Sequence, residues 1–131
     1  MKYQLHHIHL LCSNLGEMVS FFSDVLGAKF VDWRKFQGAD GAVLDLNGTS
    51  IYLRVLRGEE KISPGPAPLQ YGYNHIGLTA EDLEKTFSDL TTRGIKFTQP
   101  PKDLGNRIAA FIQGPDGLSI EFIQFKKEKS M

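Results

Sequence analysis

Three of the chain's four histidines stand in HHIHL, at positions 6, 7 and 9, and the fourth, His75, opens HIGLT. Imidazole nitrogens and carboxylate oxygens are the common donors to Fe, Mn, Ni and Zn, so the first question is whether a carboxylate joins them. GPDGLSIEF supplies one in Glu121. A single histidine on a strand is ordinarily hydrogen-bonded or half-exposed, and His-x-His by itself is a weak signal. What gives these residues weight is where they fall in a repeat.

HIHLLCSNLGEMVSFFSDVLGAKF (7–30) aligns with HIGLTAEDLEKTFSDLTTRGIKF (75–97). His7 matches His75, Asn14 matches Asp82 and Leu15 matches Leu83. NGTSIYLRV (47–55) lies over DGLSIEFIQ (116–124), pairing Ile51 with Ile120 and Tyr52 with Glu121. An internal repeat fixes the architecture before any local detail does. Each half opens with an alternating apolar stretch, which reads as a strand. A polar capping cluster, CSN or TAED, then precedes a helical pattern that Gly27 or Gly94 can stop. Three short strands follow in each half, separated by turn signals at GADG, NG, GN and GPDG.

The expected fold is α+β: one domain over 1–131, with βαβββ module one at 3–56, a Pro- and Gly-rich linker at 57–73 and βαβββ module two at 74–125. The tail KKEKSM reads as solvated. One helix per module covers only one face of its strands. The two tandem modules are therefore expected to form a curved half-barrel mixed sheet whose other face lines a metal-binding cleft.

Strand side chains alternate between faces. Ile8, Leu10, Ile51, Leu53, Ile76, Leu78, Ile120 and Phe122 then turn to the helices. His7, Tyr52, His75 and Glu121 take four repeat-related cleft positions, and Gly77 leaves room beside His75. His7, His75 and Glu121 form a two-imidazole, one-carboxylate set suited to one divalent ion, Fe, Mn, Ni or Zn, with positions left open for substrate oxygens. His6 is expected outside the site. His9 faces the cleft as a ligand, an outer partner or a substrate contact. Tyr52 either donates a hydrogen bond to a developing oxyanion or packs the cleft wall. Arg54, on the same face, and Arg107, opening the next-to-last strand, could pair with an anionic substrate group or lie solvated. Trp33, Phe36 and Phe111 are candidates for the cleft wall or for plain core.

The bulk numbers exclude several classes. Fifteen basic residues balance fifteen acidic ones, which gives no support for nucleic acid or a membrane surface as partner. Cys12 is the only cysteine, so an internal disulfide is impossible and no oxidising compartment is needed. With neither a signal-type h-region nor an apolar run of spanning length, a cytoplasmic location is expected.

Taken together, HIHLLCSNLGEMVSFFSDVLGAKF, NHIGLTAEDLEKT with RGIKF, and GPDGLSIEF resemble the vicinal-oxygen-chelate superfamily. That superfamily includes glyoxalase I, bleomycin resistance proteins, methylmalonyl-CoA epimerase, fosfomycin-resistance transferases and extradiol dioxygenases. The resemblance spans Tyr3 to Phe125. It implies paired βαβββ modules, a divalent metal in the cleft, a small-molecule substrate and a homodimer. Position by position, His7, His75 and Glu121 resemble three of the superfamily's metal ligands. The departure is Tyr52, where glyoxalase I and the epimerase carry a glutamate, and this counts against a two-base proton shuttle. PPKDLGNRIAAFIQ lacks the Ser- and Glu-bearing loop expected of the fosfomycin transferases.

The resemblance implies first a metal-dependent glyoxalase-like lyase or isomerase, of the lactoylglutathione lyase type. Its substrate would be chelated through neighbouring oxygens, with Glu121 moving the proton and Tyr52 and His9 assisting. An Fe- or Mn-dependent extradiol dioxygenase is the second reading. The third is a binding protein for a drug or metabolite, against which retention of all three ligand residues argues.

Overall fold

The computed structural model describes residues 2–62 and 71–126, which form two compact units. In the first, β1 (His7–Leu11) leads into α1 (Leu15–Ser20), which continues as a π-helical stretch over Phe21–Val25. β2 (Lys29–Phe36), β3 (Ala39–Leu46) and β4 (Thr49–Arg54) follow. The second unit repeats the order with β5 (Ile76–Thr79), α2 (Leu83–Thr92), β6 (Phe97–Asp103), β7 (Arg107–Gln113) and β8 (Ser119–Phe125). Both sheets are open, four-stranded and mixed, ordered β1-β4-β3-β2 and β5-β8-β7-β6. The first strand runs parallel to the last in each, and the other pairings are antiparallel. Two βαβββ modules are thus the architecture of the chain. No helix among the described residues is long and apolar enough to cross a membrane.

The helices start where side-chain oxygens can meet free N–H groups. Asn14 Oδ1 accepts from the Glu17 amide at 3.0 Å, and Asp82 Oδ1 accepts from the Lys85 amide at 3.1 Å. Gln124 of β8 also accepts from the Leu83 amide at 2.6 Å, tying the start of α2 to its sheet. α1 lies on β3 and β4, and α2 on β6 and β8. Met18, Phe22, Leu44, Ile51 and Leu53 are buried in the first unit; Leu83, Leu90, Ile112, Ile120 and Phe122 are buried in the second. Burying the strand side chains among these is what fixes the register, because a one-residue slip would turn Leu44, Ile51, Leu53, Ile112, Ile120 and Phe122 outward. The alternation expected from the sequence therefore holds in β4 and β8.

Two local expectations change. The β2–β3 turn is Gln37-Gly38, both at positive φ, rather than GADG. Ala39, Asp40 and Gly41 belong to β3. Gly41 is needed for close approach rather than for a turn. A Cβ there would overlap the Leu53 carbonyl oxygen and lie 2.5 Å from the Phe36 ring. The other β-hairpin in this unit turns at Asn47-Gly48 as expected.

The segment expected to be linker is also built into the first unit at its start. The Arg57 guanidinium donates to the carbonyls of Phe36, at 2.7 Å, and Gln37, at 3.0 Å. The Glu60 amide donates to the Arg57 carbonyl at 3.0 Å. The middle of that segment, 63–70, lies outside the described residues, as do residues 127–131 of the tail.

Candidate functional site

Unit two brings two of the expected ligand residues together. Glu121 stands on β8 opposite Gly77 of β5, and His75 immediately precedes β5. His75 Nε2 is 3.0 Å from Glu121 Oε1, and the carboxylate side chain is 14% exposed. The small residue at 77 matters here, since a Cβ at that point would already contact Oε1 at 3.6 Å. Phe111, across β7 from Glu121, sets its ring edge-on to the imidazole at 5.3 Å. On the other side, His75 Nδ1 lies 2.8 Å from Asn74 Oδ1.

This arrangement fits a divalent ion on two grounds. Two ligands at right angles on one ion, each bonded at roughly 2.1 Å, stand roughly 3.0 Å apart; the Nε2–Oε1 separation has that value. Furthermore, a neutral imidazole that donates its Nδ1–H to Asn74 turns the Nε2 lone pair toward the carboxylate, an arrangement that a cation stabilises. The same 3.0 Å separation also suits an Nε2–H donated to Glu121. Within either unit, the described residues hold no group of three or more His, Cys, Asp or Glu side chains that could close on one ion. Unit two therefore offers a ligand pair rather than a complete set.

Unit one carries an aromatic cluster at the corresponding place. His7 stacks on the Tyr52 ring at 4.1 Å with the planes 14° apart, where His75 meets a carboxylate instead. His9 sits opposite Tyr52 in the β1–β4 register, the position that Gly77 takes beside Glu121. It also packs on Phe36 at 4.6 Å. Arg34 lies over the Tyr52 ring, 5.6 Å from its centroid. His6, expected outside the site, has its Nδ1 2.8 Å from that of His7. A pocket of about 530 Å³ opens here, lined by His7, His9, Phe36, Tyr52, Arg54 and Arg57 among others.

Charge in this pocket is organised by a residue that the sequence reading missed. Glu60 accepts from Arg54 Nη1 at 2.6 Å and from Nη2 at 3.0 Å, and from the Arg57 amide at 2.7 Å. The Arg54 hydrogen bonds, with that from the Arg57 amide, hold its carboxyl at about 2, well below its ordinary 4.5. Arg54 is thus forked onto a carboxylate that Arg57 Nη1 also meets, at 3.3 Å, and the two guanidiniums outweigh it by one positive charge. His9 titrates below the ordinary histidine range. Burial is the main cause, and the charges of Arg54, His7 and Arg57 add to it.

Other expected residues lie apart from these groups. Arg107 shares the Glu121 face of its sheet but is four residues along β7 from Phe111, roughly 13 Å away, and donates to Asn106 Oδ1 at 3.1 Å. Trp33 pairs with Ala42, and Ala42 with Leu53, which puts it on the helix side of the sheet rather than with Tyr52. Its ring meets that of Phe30 at 5.0 Å, tilted by 58°, and it is 61% exposed. Phe36 and Phe111 do join their units' histidines.

A model of the Glyoxalase/Bleomycin resistance protein/Dioxygenase superfamily matches residues 4–122. The chain is 27% identical to a lactoylglutathione lyase of Haemophilus influenzae, over 97% of this chain and 96% of that protein. It is 26% identical to a probable lactoylglutathione lyase of Synechocystis, over 95% and 98%. Among solved structures, a glyoxylase/bleomycin resistance protein/dioxygenase domain from Frankia superposes with a TM-score of 0.78 at 20% identity, covering 96% of this chain and 100% of that one. The fosfomycin resistance protein FosX of Listeria monocytogenes, in complex with Mn(II), superposes with a TM-score of 0.69 at 15% identity, over 93% and 92%. At these identities the superpositions speak for the fold.

Proposed function

The chain belongs to the glyoxalase/bleomycin resistance protein/dioxygenase superfamily, and from that premise we propose that it is a metal-dependent lyase or isomerase of the glyoxalase type. Its substrate is a small molecule with two neighbouring oxygens. The observation that carries this reading is the His75 Nε2–Glu121 Oε1 pair at 3.0 Å. The lactoylglutathione lyases among its relatives support the same class. His75 and Glu121 would hold one divalent ion, Fe, Mn, Ni or Zn; His7, the match of His75 in the repeat, is proposed as a further ligand on the resemblance alone. When bound, such an ion supplies Lewis-acid stabilisation of negative charge on adjacent oxygens.

The chain's own residues supply the rest. Glu121 is the base that moves a proton between adjacent carbons, because Tyr52 replaces the second carboxylate that a two-base route would need. His9, whose titration burial and then Arg54 push below the ordinary histidine range, is proposed as an acceptor, and the Tyr52 hydroxyl donates to a developing oxyanion. Arg54 and Arg57, against the single charge of Glu60, give the pocket a positive rim for an anionic group. Arg107 would meet the far end of an extended substrate. A homodimer is proposed on the resemblance alone.

The test is formation of lactoylglutathione by protein loaded with Fe, Mn, Ni or Zn in turn. Turnover with at least one metal, lost in Glu121→Gln, is the expected result; no turnover with any of them contradicts the assignment. One feature favours a second reading. With no carboxylate at 52, a His, His, Glu set suits an extradiol dioxygenase, which would show O₂ uptake with a catechol after Fe(II) or Mn(II) loading and not after Zn loading.

A further inference from the structure

The residue before each repeat-related histidine makes the same contact. His6 Nδ1 lies 2.8 Å from His7 Nδ1, and Asn74 Oδ1 lies 2.8 Å from His75 Nδ1. Both residues directly precede the first strand or its opening histidine, and they occupy equivalent places in the repeat although their side chains differ. We propose that His6 and Asn74 are positioning residues: each accepts the Nδ1–H of the following imidazole and so turns the Nε2 lone pair outward as the metal-binding atom.

A neutral imidazole carries one N–H and one lone pair, and which nitrogen has which is set by the partner of the other. Asn74 offers a carbonyl oxygen to Nδ1. Nε2 of the same ring faces Glu121, so the nitrogen that would serve as donor to an ion is the one aimed at the carboxylate. In unit one, a His6 ring that accepts through Nδ1 leaves His7 Nε2 as the free lone pair. An Asn and a His are different in size and shape, yet each can accept one hydrogen bond at that point. Acceptance, rather than bulk, is what the two units have in common.

The inference rests on the metal reading above, and the experiment separates the two. Zn(II) affinity is measured by competition with a chromophoric chelator for the wild type and for Asn74→Leu, Asn74→Asp, His6→Leu and His6→Asp, each checked for folding by circular dichroism. Leu removes the acceptor at either site, whereas Asp is an acceptor that cannot donate when ionised. The expected result is a roughly 10- to 100-fold loss of affinity in each Leu variant, the usual cost of losing an outer partner of a ligand histidine. The Asp variants should stay within a few-fold of wild type. Leu variants that bind like wild type, or Asp variants as weak as Leu, would overturn the positioning role while leaving the metal site standing. A wild type that takes up no Zn(II), Fe, Mn or Ni would overturn the metal reading and this inference with it.

Discussion

The two units place different chemistry on one scaffold. At matching positions of the last strand, unit one has Tyr52 and unit two has Glu121. The first strand of each unit carries His9 against Tyr52 and Gly77 against Glu121. The result is an aromatic and cationic surface in unit one, with His7 flat on Tyr52. In unit two it is a histidine–carboxylate pair with no side chain opposite Glu121 on the first strand. The helix-facing positions, by contrast, stay apolar in both: Ile51 and Leu53 match Ile120 and Phe122. A packed core sets the same demand on the helix-facing side of both units, and the opposite face is free to differ.

The strongest way to break this comparison is to remove the acid–base function of unit two. Glu121→Gln keeps the shape of the side chain but not its basicity, and turnover should fall by roughly 10²- to 10⁴-fold; Tyr52→Phe in unit one removes an oxyanion donor and not the base, and should cost less, roughly 10²-fold. Equal losses would show that the units are not divided as described. A second change closes the space at Gly77. Gly77→Leu starts with a Cβ 3.6 Å from Glu121 Oε1 and should weaken metal binding by roughly 10- to 100-fold, as judged from other disturbances around metal ligands. Binding at wild-type strength would mean that the space has no role.

Smaller effects sharpen the comparison on the stability side. Gly41→Ala forces Phe36 away from His9 and Tyr52 and should cost about 1–3 kcal/mol by overpacking, seen in urea unfolding; no change would mean that the aromatic wall is loose. The caps should behave alike in the two units, with Asn14→Ala and Asp82→Ala each losing about 1 kcal/mol. Smallest is the effect of Glu60→Gln. The depressed Glu60 carboxyl contributes stability that is fully present above pH 4.5 and is lost as pH falls through about 2. The difference between wild type and Glu60→Gln should therefore persist at neutral pH, narrow below 4.5 and vanish near 2. A difference that grows on acidification would assign Glu60 another role.

Much of this was legible in the sequence because a repeat compares a chain with itself. The alternation in SIYLRV and LSIEFIQ put Tyr52 and Glu121 on the face away from the helices, and the buried Ile51 and Ile120 agree. Asn14 and Asp82 are the caps that their side chains suggest. Gln37 was not legible as a turn residue, since a positive φ there comes from the β-hairpin geometry rather than from Gln's own preference. Trp33 was placed by residue type, whereas the β2 register decides its face. Glu60 falls in a segment without periodicity, so nothing in its spacing points to Arg54. His6 and Asn74 escaped because strand alternation sends neighbours to opposite faces. Neither lies inside the strand, where that rule would apply.

The central claim is that His75 and Glu121 are a ligand pair. The most direct test is the metal content of the purified chain after loading with Fe, Mn, Ni and Zn in turn, beside His75→Ala and Glu121→Ala. The account predicts about one tightly held ion per chain with at least one of these metals, lost in both variants. No ion in the wild type, or full occupancy in either variant, would contradict it.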